Sequence, residues 1–241
     1  MKSLREINYR RSFNESDRDL SEMSHKSSIL KCLPDFVPQT TDKSNIMTEG
    51  MMSVLTHHLP MNYRLLPWHL LYSIARDGYS HHTFFDKVAG QCAYVLLVRD
   101  SLNHVFGAFL SQTIKNRSVY TGDGDCFVFT LHDDEDLEVF SSTGKNSKFQ
   151  LTDDEFIIIG GASDDKLGRA AVVISDRFTR GHSSPCVTFD NSILCGDTED
   201  EKYKGDDSKF TFIEAETSKG NFVVVEMEIW GFESENRVEF Y

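Results

Sequence analysis

Gly181-His182-Ser183-Ser184-Pro185 has the outline of a nucleophile elbow, the sharp turn that presents a serine Oγ for acyl transfer. The spacing then fails. That turn needs a glycine two residues after the serine, and Pro185 stands there if Ser183 attacks, Cys186 if Ser184 does. A strand–turn–helix context is also missing. Cys186 with His182 could instead form a thiolate–imidazole pair. Cys195 could then resolve a sulfenic acid formed at Cys186. Against this stands the ordinary fate of a free cysteine, which is to pack as a small hydrophobe, here in a strand expected over Cys186 to Phe189. Packing is the favoured reading, so Cys186 and His182 are kept only as the alternative to a chain with no catalytic residue.

Other groupings of reactive side chains lead to less. His57-His58 and His81-His82 are sequence neighbours, and neighbours on a helix do not share the face that a two-histidine metal site needs. Acidic clusters stand at Asp123 with Asp125, Asp133 to Asp136, Asp153 to Glu155, Asp164-Asp165 and Glu199 to Glu201. Calcium needs six to eight converging oxygens, and no EF-hand spacing follows Asp123, so these read as solvated loops. Gly160-Gly161-Ala162 lacks the Lys-Ser/Thr of a phosphate-binding loop, and Lys166 is wrongly spaced. No cofactor and no metal are expected.

Composition narrows the class. A hydrophobic fraction of 39%, with 18 phenylalanines, suffices for a core. No apolar run approaches the roughly 18 residues of a membrane helix. Five cysteines (Cys32, Cys92, Cys126, Cys186, Cys195) form no CxxC pair and accompany no secretion signal, which fits reduced thiols in the cytoplasm. Arg5, Arg10, Arg11 and Arg18 alternate with acids that transit peptides avoid, so a mitochondrial destination is disfavoured and left open as a fraction. Residues 1–62 carry equal numbers of basic and acidic side chains, so the rest holds all of the net charge of −13. An acidic domain is a poor partner for nucleic acid or anionic lipid. It suits a basic protein partner, although solubility alone explains most acidic surfaces.

The elements that must position these residues follow from periodicity. Residues 1–45 read as a mostly disordered polar leader and 46–241 as the folded domain. Ile46 to His58 predicts a helix. Pro67 opens a second, with Trp68, Leu71, Tyr72 and Ala75 near one face and Asp77-Gly78 ending it. Ser80 caps a third, with Phe84, Phe85 and Val88 inward, giving an αα-hairpin. Strands are predicted at Ala93 to Val98, Val105 to Leu110, Phe127 to Leu131, Leu137 to Phe140, Phe156 to Ile159, Ala171 to Ile174 and Asn221 to Phe232. In the last, Val223, Val225, Met227 and Ile229 alternate with a wetter face. Gly107 within its strand marks a bulge or a close backbone approach. Asp197 to Lys209 reads as a surface excursion. The sum is α+β: a two-sheet antiparallel β-sandwich flanked by helices.

Short motifs in order carry a resemblance. They are Leu70-Leu71-Tyr72-Ser73, Asp77-Gly78-Tyr79-Ser80 with Thr83 beyond, Phe106-Gly107-Ala108-Phe109, Thr143-Gly144-Lys145-Asn146, Gly160-Gly161, Cys186-Val187-Thr188-Phe189 and Glu228-Ile229-Trp230-Gly231-Phe232. Over about Leu59 to Phe232 the chain resembles the TLDc domain of the oxidation-resistance protein family. It departs at Ser142, where the family has Trp, at the charged run Ser163 to Arg169, and at Ser175-Asp176. The resemblance implies a β-sandwich with flanking helices and protection against oxidative stress. It also implies binding to the soluble sector or peripheral stalk of the vacuolar-type proton-pumping ATPase, whose assembly or activity would be regulated. A monomer is expected, cytoplasmic and peripheral at acidic organelles. No established enzymatic chemistry comes with the family. A thiol-based antioxidant enzyme or redox sensor using Cys186 is the alternative, and Gly107, Gly160, Gly161 and Gly181 are read as backbone-geometry residues.

Overall fold

In chain order the elements are α1 (Glu49–His58), β1 (Trp68–Ser73), α2 (Ile74–Asp77), α3 (His81–Val88), β2 (Tyr94–Asp100), β3 (Val105–Leu110), β4 (Arg117–Thr121), β5 (Phe127–Leu131), β6 (Leu137–Ser141), β7 (Gln150–Thr152), β8 (Ile157–Ile159), β9 (Val172–Ser175), β10 (Arg180–His182) and β11 (Asn221–Phe232). They come from a computed structural model that describes residues 36–132, 136–161, 169–195 and 219–232. The chain divides into a unit Met1–Phe36 and a unit Val37–Tyr241, and all of these elements belong to the second. The expected leader before residue 36 and the excursion at Asp197 to Lys209 lie outside the described residues.

β11 organises the strands. Its N-terminal end pairs with β10 and the rest with β2, while β1 lies along its C-terminal half, all antiparallel. The hydrogen-bonded order β4-β7-β8-β9-β10-β11-β2-β3-β5-β6 therefore runs through two sheets that share this one strand. Between them lies the main core, with Leu96, Val98 and Phe106 from one sheet against Ile157, Val172 and Ile174 from the other. The opposite face of the β2–β3 sheet is covered by α1 through Met52 and Leu55, and by Leu59 just after it. That explains the unbroken apolar run of β2, whose Val95 and Leu97 face α1 while Leu96 and Val98 face the second sheet. The α+β sandwich flanked by helices is the observed architecture.

Local chemistry sets the helices. Thr48 Oγ1 accepts from Met51 N–H at 3.2 Å and caps α1, and Ser80 Oγ accepts from Thr83 N–H at 3.3 Å and caps α3 as expected. The helix expected from Pro67 is the exception. Trp68–Ser73 is a strand, and only the single turn Ile74–Asp77 is helical, so the αα-hairpin does not form. A bulge between Leu70 and Tyr72 is the reason. Trp68 and Leu70 face the α1 side, and the extra residue sends both Leu71 and Tyr72 to the inter-sheet core. Apolar positions then fall three and four residues apart and mimic a helix. A second bulge, between Val224 and Glu226, breaks the expected alternation of β11. Phe222 and Val224 share the inner face with Met227 and Ile229, and Val225 is pushed into solvent. Strands β4, β7 and β10 are short and carry no long apolar run, so sequence pattern does not point to them.

Gly107 sits in an unbroken register between β2 and β3, so it marks a close approach and no bulge. A Cβ there would fall 2.0 Å from the Leu96 carbonyl oxygen and 2.8 Å from Phe129 Cζ. Backbone cannot yield as a flexible side chain does. Gly107→Ala is expected to lower unfolding free energy by about 3 kcal/mol in urea titration, the upper end for overpacking.

Candidate functional site

His182 closes β10 beside the first residue of β11. Its register partners are Asn221 and Val173, and it is buried. Nδ1 lies 2.9 Å from Asn221 Oδ1. Burial is the main influence on the ring and lowers its pKa, with the Asn221 contact opposing. The imidazole is thus held neutral near pH 7. Ser183, fully enclosed, donates to the Ala171 carbonyl at 2.7 Å and accepts from Leu194 N–H at 2.9 Å. Its hydroxyl pins the segment after β10 to the residue that precedes β9. Cys195 Sγ faces the Gly220 carbonyl oxygen at 3.4 Å.

Cys186 lies in a different setting. Cys186–Phe189 forms a turn, not the expected strand. Asp190 N–H donates to the Cys186 carbonyl at 2.9 Å, which closes the turn, and Asp190 takes a φ of 54°. The thiol is buried against Gly160, where a Cβ would stand 2.7 Å from Sγ. Gly160, itself at φ 76°, thereby makes room for the sulfur. Cys126 is also buried, with Sγ 3.1 Å from Ser111 Oγ, and burial chiefly raises its pKa. Cys92 is exposed.

Three of the short motifs meet at Thr188. Its Oγ1 accepts from Gly161 N–H at 2.9 Å and lies 2.9 Å from Asn146 Oδ1, 3.2 Å from the Lys148 carbonyl and 3.2 Å from the Gly161 carbonyl. One hydroxyl proton serves one of those three acceptors at a time. Thr143 Oγ1 donates to the Val187 carbonyl at 2.8 Å, and Thr143 N–H donates to the Thr188 carbonyl at 2.9 Å. The Thr-Gly-Lys-Asn loop, the Gly-Gly pair and the Cys-Val-Thr-Phe turn are therefore one hydrogen-bonded unit. All three motifs stand out in the sequence, but nothing in their spacing shows that they touch.

A second centre has no motif of reactive residues behind it. Glu228 is fully buried in the middle of β11, on the face that simple alternation marks as wetter. Oε2 accepts from Ser44 Oγ at 2.7 Å and from Trp230 Nε1 at 2.9 Å, and Oε1 accepts from Asn45 N–H at 2.7 Å. Ser44 Oγ in turn accepts from the N–H groups of Ile46 and Met47 at 3.0 and 2.9 Å. The signal available in sequence is an acid within an otherwise apolar strand, two residues from a tryptophan whose indole needs an acceptor. Among the described residues no group of three His, Cys, Asp or Glu side chains could hold a metal ion.

An antiparallel sandwich with α1 on one face, motif loops knitted through Thr188 and an acid buried in its central strand defines a β-sandwich domain of the TLDc type. The model of the TLDc domain matches residues 40–233, and the chain belongs to that family. It is 33% identical over 199 residues to "Oxidation resistance protein 1" of Xenopus laevis, covering 82% of this chain and 20% of that protein. The human protein of the same name is 30% identical over 199 residues, with the same coverage. "Nuclear receptor coactivator 7" of Mus musculus is 30% identical over 202 residues, covering 83% of this chain and 18% of that protein. The chain thus spans about a fifth of the length of the relatives it matches.

Two outcomes follow from the geometry. Glu228→Leu strands three donors and is expected to cost about 3 kcal/mol or more in chemical denaturation. In native protein treated with iodoacetamide, peptide mapping should show Cys92 alkylated well ahead of Cys126, Cys186 and Cys195, because the thiolate must reach solvent to react.

Proposed function

We propose that this chain is a non-catalytic regulator in oxidative-stress protection. It acts by docking its TLDc domain on the vacuolar-type proton-pumping ATPase and modulating that pump's assembly or activity. The observation that carries the reading is family membership over residues 40–233, together with relatives named for oxidation resistance. Because the chain spans a fifth of those relatives, what the longer proteins do is carried over as part of this proposal. The internal chemistry agrees with it. His182, Ser183, Thr188 and Glu228 each direct their polar atoms at neighbouring strands and turns, so their bonding holds the fold.

The acidic balance of the domain suits a basic partner surface, such as the helices of the pump's peripheral stalk. Such a protein works from the cytoplasm, peripheral to acidic organelles. Among the described residues no helix is long and apolar enough to cross a membrane.

The test is a pull-down of the purified chain with detergent-solubilised vacuolar ATPase, followed by ATP hydrolysis and subunit release. Binding with altered hydrolysis or released subunits is expected, and it should weaken as salt rises from about 50 to about 500 mM, because screening shortens the reach of surface charge. No binding by a protein shown to be folded overturns the reading. Salt-independent binding removes the electrostatic dock while leaving the regulator.

A further inference from the structure

Three successive residues of the β9–β10 turn, Asp176, Arg177 and Phe178, have φ of 48°, 55° and 65°. Left-handed backbone is unfavourable for side chains other than glycine, and a run of three is held only by what it delivers. Here it delivers Phe178. That ring is buried, with centroids 6.0 Å from Tyr72, 5.2 Å from Phe84 and 4.3 Å from His81. The His81 stack is nearly parallel, at 11°. Thr179 N–H and Oγ1 close the turn onto the Asp176 carbonyl at 3.2 and 2.7 Å.

His81 is the first residue of α3. Neither ring nitrogen reaches solvent, and neither makes a hydrogen bond of good geometry among the described residues. A neutral imidazole tolerates this, whereas an imidazolium has two N–H donors to satisfy. A cation is also disfavoured at a helix N-terminus. The groups facing it are Asp154 and Asp153 from the β7–β8 turn, which favour a proton through their carboxylates and through the Asp153 backbone, and Arg177 from the β9–β10 turn, which opposes one. Tyr72 of β1 commits its hydroxyl to the Gly78 carbonyl. On α3 itself, His82 pairs with Asp86 at the surface.

We propose that the His81–Phe178 contact is an acid-released latch: protonation of His81 withdraws its ring towards Asp153 and Asp154, and the left-handed turn relaxes once Phe178 loses this stacking partner. Burial outweighs the two acids and lowers the pKa of His81. The latch is therefore fully closed above the ordinary imidazole range near pH 6.5, and it weakens as pH falls from there towards the folded-state value.

Amide exchange by mass spectrometry on the full chain tests this at about pH 7.5 and 5.5, corrected for intrinsic chemistry. The expected result is an increase on the order of ten-fold at residues 176–180 and 81–84, about one unit of linked protonation. The increase should be absent in His81→Phe, which keeps the stack and cannot titrate. An equal increase in that variant, or none in wild type, overturns the latch. A carbon-bound proton NMR titration of wild-type His81 tests it independently and needs no variant. A midpoint below about 6.5 with the Phe178 ring resonances moving in step supports the latch. A midpoint at or above that value, or Phe178 resonances that stay still, refutes it.

Discussion

The buried carboxylate of Glu228 is the constraint that the rest of this domain is built around. A carboxylate removed from water must recover its hydrogen bonds inside the protein. Glu228 recovers them from Ser44, Asn45 and Trp230. Those donors can stand in place only if residues 44–47 cross over β11, and that crossing delivers Ile46 and Met47 into the same cluster as Met52 and Leu55 of α1. The seat of α1 thus depends on a polar contact rather than on apolar burial alone. Hydrophobic contact is non-directional and would accept many helix positions. Charge-assisted hydrogen bonds admit few.

The edge of β1 is treated in a related way. Trp68 N–H donates to the Gln39 carbonyl at 2.7 Å, and Thr41 N–H donates to the Trp68 carbonyl at 3.0 Å. Residues 39–41 thereby occupy ladder positions that an open edge would offer to another chain. Residues 39–45, which low hydrophobicity assigns to the polar leader, thus hold four of the contacts that fix the sheet. Polar side chains that serve as staples look like loop in a sequence, because their partners are up to 184 residues away.

Legibility divides along the same line. Val105–Leu110, Phe127–Leu131 and Asn221–Phe232 are predicted at their observed bounds, since continuous or alternating apolar residues flanked by polar ones carry their own signal. The two bulges at Leu71 and Val225 defeat the pattern, because one inserted residue reverses which side chains face inward. The candidate chemistry is legible only as residue types. His182, Ser183 and Cys186 lie within five residues, yet the first turns to β11, the second to Ala171 just before β9 and the third to Gly160. Those directions follow from strand register and from one tight turn, neither of which is written in local spacing. The family motifs fare differently. As an ordered set they point to the TLDc fold, while their convergence on Thr188 emerges only in three dimensions.

A strand shared by two sheets has a temporal consequence. Among the described strands β11 comes last in chain order, so it leaves the ribosome after the others. Until it arrives, β2 and β10 each present an open edge, the inter-sheet core lacks Met227 and Ile229, and Ser44 has no carboxylate to hold α1. Until then the nascent domain carries two incomplete half-sandwiches, joined by a closure of high contact order. Exposed strand edges are templates for wrong pairing at that stage. Biogenesis of this domain is therefore a matter of waiting for β11, which acts as a quality checkpoint: a chain interrupted before it lacks the strand that joins the two sheets.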